Sequence, residues 1–209
     1  MKQFKLVIGI LLIPVCLLLI AALVHTLMQI QALQQTEIYF LAGATAYVLI
    51  HLVFRWEFLH VMSHEVTHWL FTLCFGGKIT ELHVTERYGG KVIVNRANFL
   101  ISLSPYFFPL FAVIVLLIGL LIKSEFQIYA AFLTGFFLSF HILFTINSIG
   151  RGQPDIYQHG SFFSCVFIVF ANVLIIAAVF SVVSRQFRYI AFLKDAYNIL
   201  AGLIGLQNA

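Results

Sequence analysis

Apolar residues run through this chain in long blocks, broken by Gly, Pro and short clusters of charge. Residues 5–27, 38–56, 98–122, 128–149 and 161–184 are each long and apolar enough to cross a hydrocarbon core about 30 Å thick as a helix. A shorter block, 58–75, begins after Arg55-Trp56-Glu57 and stops at Gly76-Gly77, a common helix C-terminus. Counting it as a span, the pattern predicts an all-α polytopic membrane protein with about six transmembrane helices. Pro14 predicts a kink in the first. Pro105 and Pro109 free backbone carbonyls in the fourth, which predicts a distorted helix facing protein.

Two stretches depart from this pattern. Residues 78–95 are polar and β-branched, with Leu82, Val84, Val92 and Val94 alternating about Tyr88-Gly89-Gly90. That predicts a small β-hairpin, outside the membrane or tucked among helices, because its edges cannot stand bare in lipid. Residues 185–209 place Phe187, Ile190, Leu193 and Tyr197 at helical spacing, with Arg188 and Lys194 elsewhere on the wheel. A C-terminal amphipathic helix on the membrane surface is the expectation. The opening Lys2, Lys5 and apolar run imitate a signal peptide. The run is too long for one and lacks a small-residue cleavage site, so it reads as a retained span.

Composition narrows the class. The chain of 209 residues is 62% hydrophobic and 10% charged, against about 25% charged in soluble domains. It reads as one integral membrane domain over 1–209. The net charge of +4 comes from basic residues in loops and at the termini. They act as topology signals, not as a nucleic-acid surface. Cys16, Cys74 and Cys165 lie in apolar runs without a CxxC, as small hydrophobes do.

The candidate chemistry sits in the short block. Residues 64–68 read H-E-x-x-H. Chance gives this motif roughly 0.01 times in a chain with 8 His. On a helix, His64 and His68 share a face and can bind one metal ion. Glu65 projects from the next stripe, near enough to act on water without being a ligand. His60, one turn earlier, is a polar neighbour. A catalytic zinc takes three protein ligands. The residue types leave Asp155, His141, His159, Glu81, Glu86 and His83 open as the third. Asp155 leads, because it follows a Gly-rich break at the mouth of a span.

These features resemble the site-2 protease family of intramembrane zinc metalloproteases. That family carries H-E-x-x-H in a membrane helix and a later motif close to N-x-x-P-x-P-x-L-D-G. Here Asn147 precedes Asp155 at the same spacing. Gly150 and Gly152 stand where the family often has prolines, Pro154 replaces Leu and Ile156 replaces Gly. The family's hairpin resembles residues 78–95, and Asn98 matches the Asn of its G-P-x-x-N segment. The resemblance covers residues 58–163, the expected core.

The resemblance implies one Zn2+ per chain, held by His64, His68 and Asp155, with Glu65 as catalytic base. Asn98 and Asn147 would bind substrate. The implied activity is an endopeptidase cleaving in or near a transmembrane segment of a membrane protein, in a multi-pass protein of the cell membrane. The partners are that substrate and the lipid bilayer, with a regulatory membrane partner left open and no nucleic acid. The rival readings are a membrane metal-binding or transport protein, a haem bundle using His51, His60 and His141, and a non-proteolytic scaffold of the same fold. Charges outside the hairpin place the N-terminus inside and Asp155 outside. The family opens to the cytosol, so sidedness stays open.

Overall fold

The computed structural model describes residues 2–85, 89–94 and 98–205, with backbone alone for residue 2 and for the strands. The order is α1 (Lys2–Met28), α2 (Gln35–Val53), α3 (Glu57–Cys74), β1 (Ile79–Thr85), β2 (Gly89–Val94), α4 (Phe99–Phe107), α5 (Leu110–Leu121), α6 (Gln127–Arg151), α7 (Pro154–Gln158), α8 (Ser161–Val183) and α9 (Tyr189–Leu203). The body is helical. β1 and β2 pair antiparallel, with Leu82 opposite Val92 and Val84 opposite Gly90, and lie along α3. Residues 86–88 and 95, part of the expected hairpin, lie outside the described residues.

The expected count of six spans is corrected. Among the described residues, four helices are long and apolar enough to cross a membrane. A fifth arises if α4 and α5 count as one span bent by 69°. The helix carrying H-E-x-x-H is not among them, because His60, Ser63, His64, Glu65, Thr67 and His68 dilute its apolar residues. The bend has a local cause. Phe108 precedes Pro109 and is pushed into the extended region (φ −99°, ψ 106°), and Pro109 has no N–H to continue the ladder. α1, in contrast, runs unbroken through Pro14.

α2 and α6 form the closest pair. A Cβ on Gly43 would strike the Phe132 carbonyl, and one on Gly135 the Phe40 carbonyl, so glycine lets the two backbones meet. α1 runs parallel to α8, with Gly9 against Phe162 and Cys16 Sγ near the Val166 carbonyl. Large apolar side chains such as Leu52, Leu121 and Leu11 stay exposed, as lipid-facing positions do.

The bundle has two ends. At one, Lys5 meets His159, His51 meets Asn147, and Arg151 approaches Glu57. At the other, Glu37 is fully buried at the start of α2. It accepts hydrogen bonds from the Gln34 backbone N–H, the Ser184 hydroxyl and the Gln186 amide. There too, Asp195 of α9 receives the Thr26 hydroxyl at 2.7 Å and contacts His25. The start of α1 and Asp155 therefore share an end. The six-span count had put them on opposite faces, because it gave α3 a full crossing of its own.

α9 is helical as expected, and a second apolar face packs on the bundle. Phe192 and Ala196 are buried with Phe187, while Ile190, Leu193 and Tyr197 are exposed. The bonds to Asp195 select that face.

Candidate metal centre

His64 and His68 lie one turn apart on α3, and their Nε2 atoms are 3.2 Å apart. α7 brings Asp155 Oδ2 to 3.4 Å from His64 Nε2 and 3.5 Å from His68 Nε2. The three donors form a nearly equilateral triangle. A tetrahedral ion at 2.0–2.1 Å from each donor would separate its ligands by about 3.3–3.4 Å. Two imidazoles and a carboxylate therefore fit a small divalent ion in both chemistry and spacing. Among the described residues this is the group able to hold one.

The sequence explains why the donors point inward. Pro105 has no N–H, so within α4 the Ile101 carbonyl lacks its usual i+4 donor. It receives His68 Nδ1 at 2.9 Å and the Ser104 hydroxyl at 2.8 Å. With Nδ1–H donating, the lone pair of His68 lies on Nε2, facing the triangle.

The bend after Phe107 acts in the same way. Leu110 N–H bonds to Phe108 and not to Tyr106. The Tyr106 carbonyl is left to the Asn172 amide at 2.8 Å and the Thr145 hydroxyl at 3.2 Å. Tyr106, buried and held there, donates its hydroxyl to Asp155 Oδ2 at 3.2 Å and packs edge-on against His64.

Asp155 is a carboxylate at neutral pH. Burial works to raise its pKa, but the hydrogen bonds and charges of His64 and His68 outweigh it and hold the carboxyl below its usual range. Glu65 is buried beside the pair, at 7% exposure. Thr67 and Thr72 return their hydroxyls to the carbonyls of Ser63 and His68, so α3 buries them without loss of hydrogen bonding.

The other candidates are engaged elsewhere. His141 contacts Asn172 at 3.2 Å, and through it supports the Tyr106 carbonyl. His60 stacks on Phe144 at 4.3 Å and touches Ser148. His51 lies between Tyr47 and Asn147. His159 meets Lys5. The side chains of Glu81, His83 and Glu86 lie outside the described residues.

The two Asn residues take distinct places. Asn98 caps α4 by accepting the Ile101 N–H at 2.8 Å. Asn147 Nδ2 lies 3.3 Å from His51 Nε2. Tyr106, Asn172 and the Ile101 carbonyl were not anticipated from sequence. The signal for the carbonyl was present, since Pro105 follows Ile101 by four residues. Tyr106 carried no signal beyond its place between two prolines.

No family model, no curated protein and no solved structure matches the chain.

Proposed function

We propose that this protein is a zinc-dependent intramembrane endopeptidase, as its resemblance to the site-2 proteases implies. One observation carries the reading. His64, His68 and Asp155 converge within 3.5 Å of one another, beside buried Glu65, in a bundle of long apolar helices. Acids and imidazoles are expensive to bury among apolar helices and are kept there for function.

A bound zinc would supply Lewis-acid polarisation of the scissile carbonyl and would acidify water. The chain's own residues do the rest. Glu65 accepts a proton from the attacking water at its carboxylate and passes it to the leaving amine nitrogen. The Ile101 carbonyl keeps His68 in the Nε2 lone-pair tautomer. Tyr106 donates to one oxygen of Asp155 and so limits its rotation. A substrate helix hides its peptide bonds in its own ladder, so it must unwind before attack. Helix-breaking residues in the substrate favour this. The strand pair along α3 could then receive the unwound segment by strand addition.

The test is metal analysis and cleavage together. Purified protein should carry about one zinc per chain and cleave an apolar helical peptide interrupted by Gly-Pro. Asp155→Ala should lose most of the metal and all cleavage. A protein that holds zinc but leaves such peptides intact would be a metal-binding protein, and the peptidase reading would fall.

A further inference from the structure

His159 stands at the C-terminal cap of α7, four residues after Asp155 and on the same helical face. Its Nδ1 lies 2.8 Å from Lys5 Nζ. A lysine ammonium only donates, so Nδ1 accepts and Nε2 carries the ring proton. Nε2 is enclosed by protein and meets no hydrogen-bond partner among the described residues. Burial, and then the Lys5 charge, hold the imidazole below its ordinary pKa, so at neutral pH it is a neutral donor. Asp155 is close enough to bias it electrostatically. An enclosed N–H donor without an acceptor is costly, and it sits one helical turn from the metal centre.

The peptide to be cleaved has the complementary need. Once unwound at membrane depth, its carbonyls have lost their helical N–H partners and find no water. We propose that His159, held in its Nε2–H tautomer by Lys5, donates to a main-chain carbonyl of the substrate beside the scissile bond, which reaches Nε2 only after the protein atoms that enclose it move aside. This rests on the peptidase reading above. It makes His159 a substrate-binding residue and Lys5 the group that positions it. A lipid phosphate offers acceptor oxygens too, but the partly exposed ammonium of Lys5 would meet it first.

Binding tests this without turnover. The probe is a dye-labelled, N-acetylated and C-amidated apolar peptide with a central Gly-Pro, titrated into zinc-loaded Glu65→Gln protein in neutral micelles. Adding His159→Ala should weaken its Kd roughly five- to tenfold, the worth of one hydrogen bond. His159→Gln, whose amide also donates, should recover part of the loss. Lys5→Met should weaken binding by freeing the tautomer. Zinc content should stay at one per chain in all three, which shows the centre is intact.

In a 15N-histidine spectrum, the Nε2–H signal that disappears in His159→Gln should shift on adding peptide. Four outcomes overturn the proposal: no binding of the peptide, equal affinity across the variants, a signal unmoved by peptide, or one moved instead by an anionic lysophospholipid. The peptidase reading is checked separately, by whether wild-type protein with its metal cleaves the same peptide.

Discussion

His68 Nδ1 lies 2.9 Å from the Ile101 carbonyl oxygen, the carbonyl that Pro105 leaves without a helical donor. A proline in α4 thus sets the tautomer of a histidine of the candidate metal centre on α3. Pro105→Ala restores an N–H that competes for this carbonyl. Metal affinity should fall about tenfold, at the low end of the range for groups that orient a ligand. A chelator-competition titration reads it, and unchanged affinity would show that the carbonyl does not position His68.

Tyr106→Phe removes the hydroxyl that donates to Asp155 and keeps the ring against His64. Zinc affinity should drop roughly tenfold while thermal stability without metal changes little. A large stability loss with full metal affinity would make Tyr106 a packing residue only.

Glu65→Gln should retain zinc and lose cleavage by about 10²–10⁴-fold, the contribution of a positioned acid–base group. Wild-type rates in this variant would remove Glu65 from the role of base.

Zinc retention should be steeply pH-dependent. The two imidazoles bind metal only as free bases, and burial already holds His64 below its ordinary value, so protons should displace the metal only in acid, below the range where a free imidazole titrates. Asp155, already held below the usual carboxylate range, remains ionised over that interval. Its depressed pKa contributes stability above the ordinary aspartate value, and this is lost only in stronger acid. Dialysis against buffers from neutral to acidic, followed by elemental analysis, should show loss governed by the histidines. Zinc retention independent of pH across this series would contradict the two-imidazole centre.

The ends of the bundle predict topology. A tag at the N-terminus and a cysteine placed at Gln153 should react with an impermeant reagent from the same face. A cysteine at Lys194 should react from the other. Opposite labelling of the first two would restore an odd number of crossings between them.

Gly135→Ala puts a methyl group into the Phe40 carbonyl, where α2 and α6 cannot separate without loss of packing. A destabilisation of about 1–3 kcal/mol is expected for such overpacking. Thermal denaturation in detergent measures it.

The sequence showed the long apolar blocks and the helical spacing of His64 and His68, because both follow from local periodicity. It overcounted the spans, since length and a glycine terminator made α3 look like the others. Its polar residues belong to a buried site and not to a crossing. For α9 the sequence showed the helix and its apolar stripe; that Phe192 and Ala196 pack on the bundle, with Asp195 bonded to Thr26 of α1, came from tertiary structure.

The identity of the third donor was a different kind of problem. Asp155, His141, His159 and the residues of 78–95 were all chemically able to serve, and their types do not order them in space. The chain by itself determined long apolar helices, able by length and composition to cross a membrane, and two donors on one turn, because a helix repeats every 3.6 residues whatever surrounds it. Only tertiary structure decided that Asp155 joins them while His141 turns to Asn172 and His159 to Lys5. That choice depends on α6 ending at Gly152, where φ is +72°, and on α7 returning the chain to α3. Contacts between residues ninety positions apart are set by packing and chain reversal, and no local pattern encodes them.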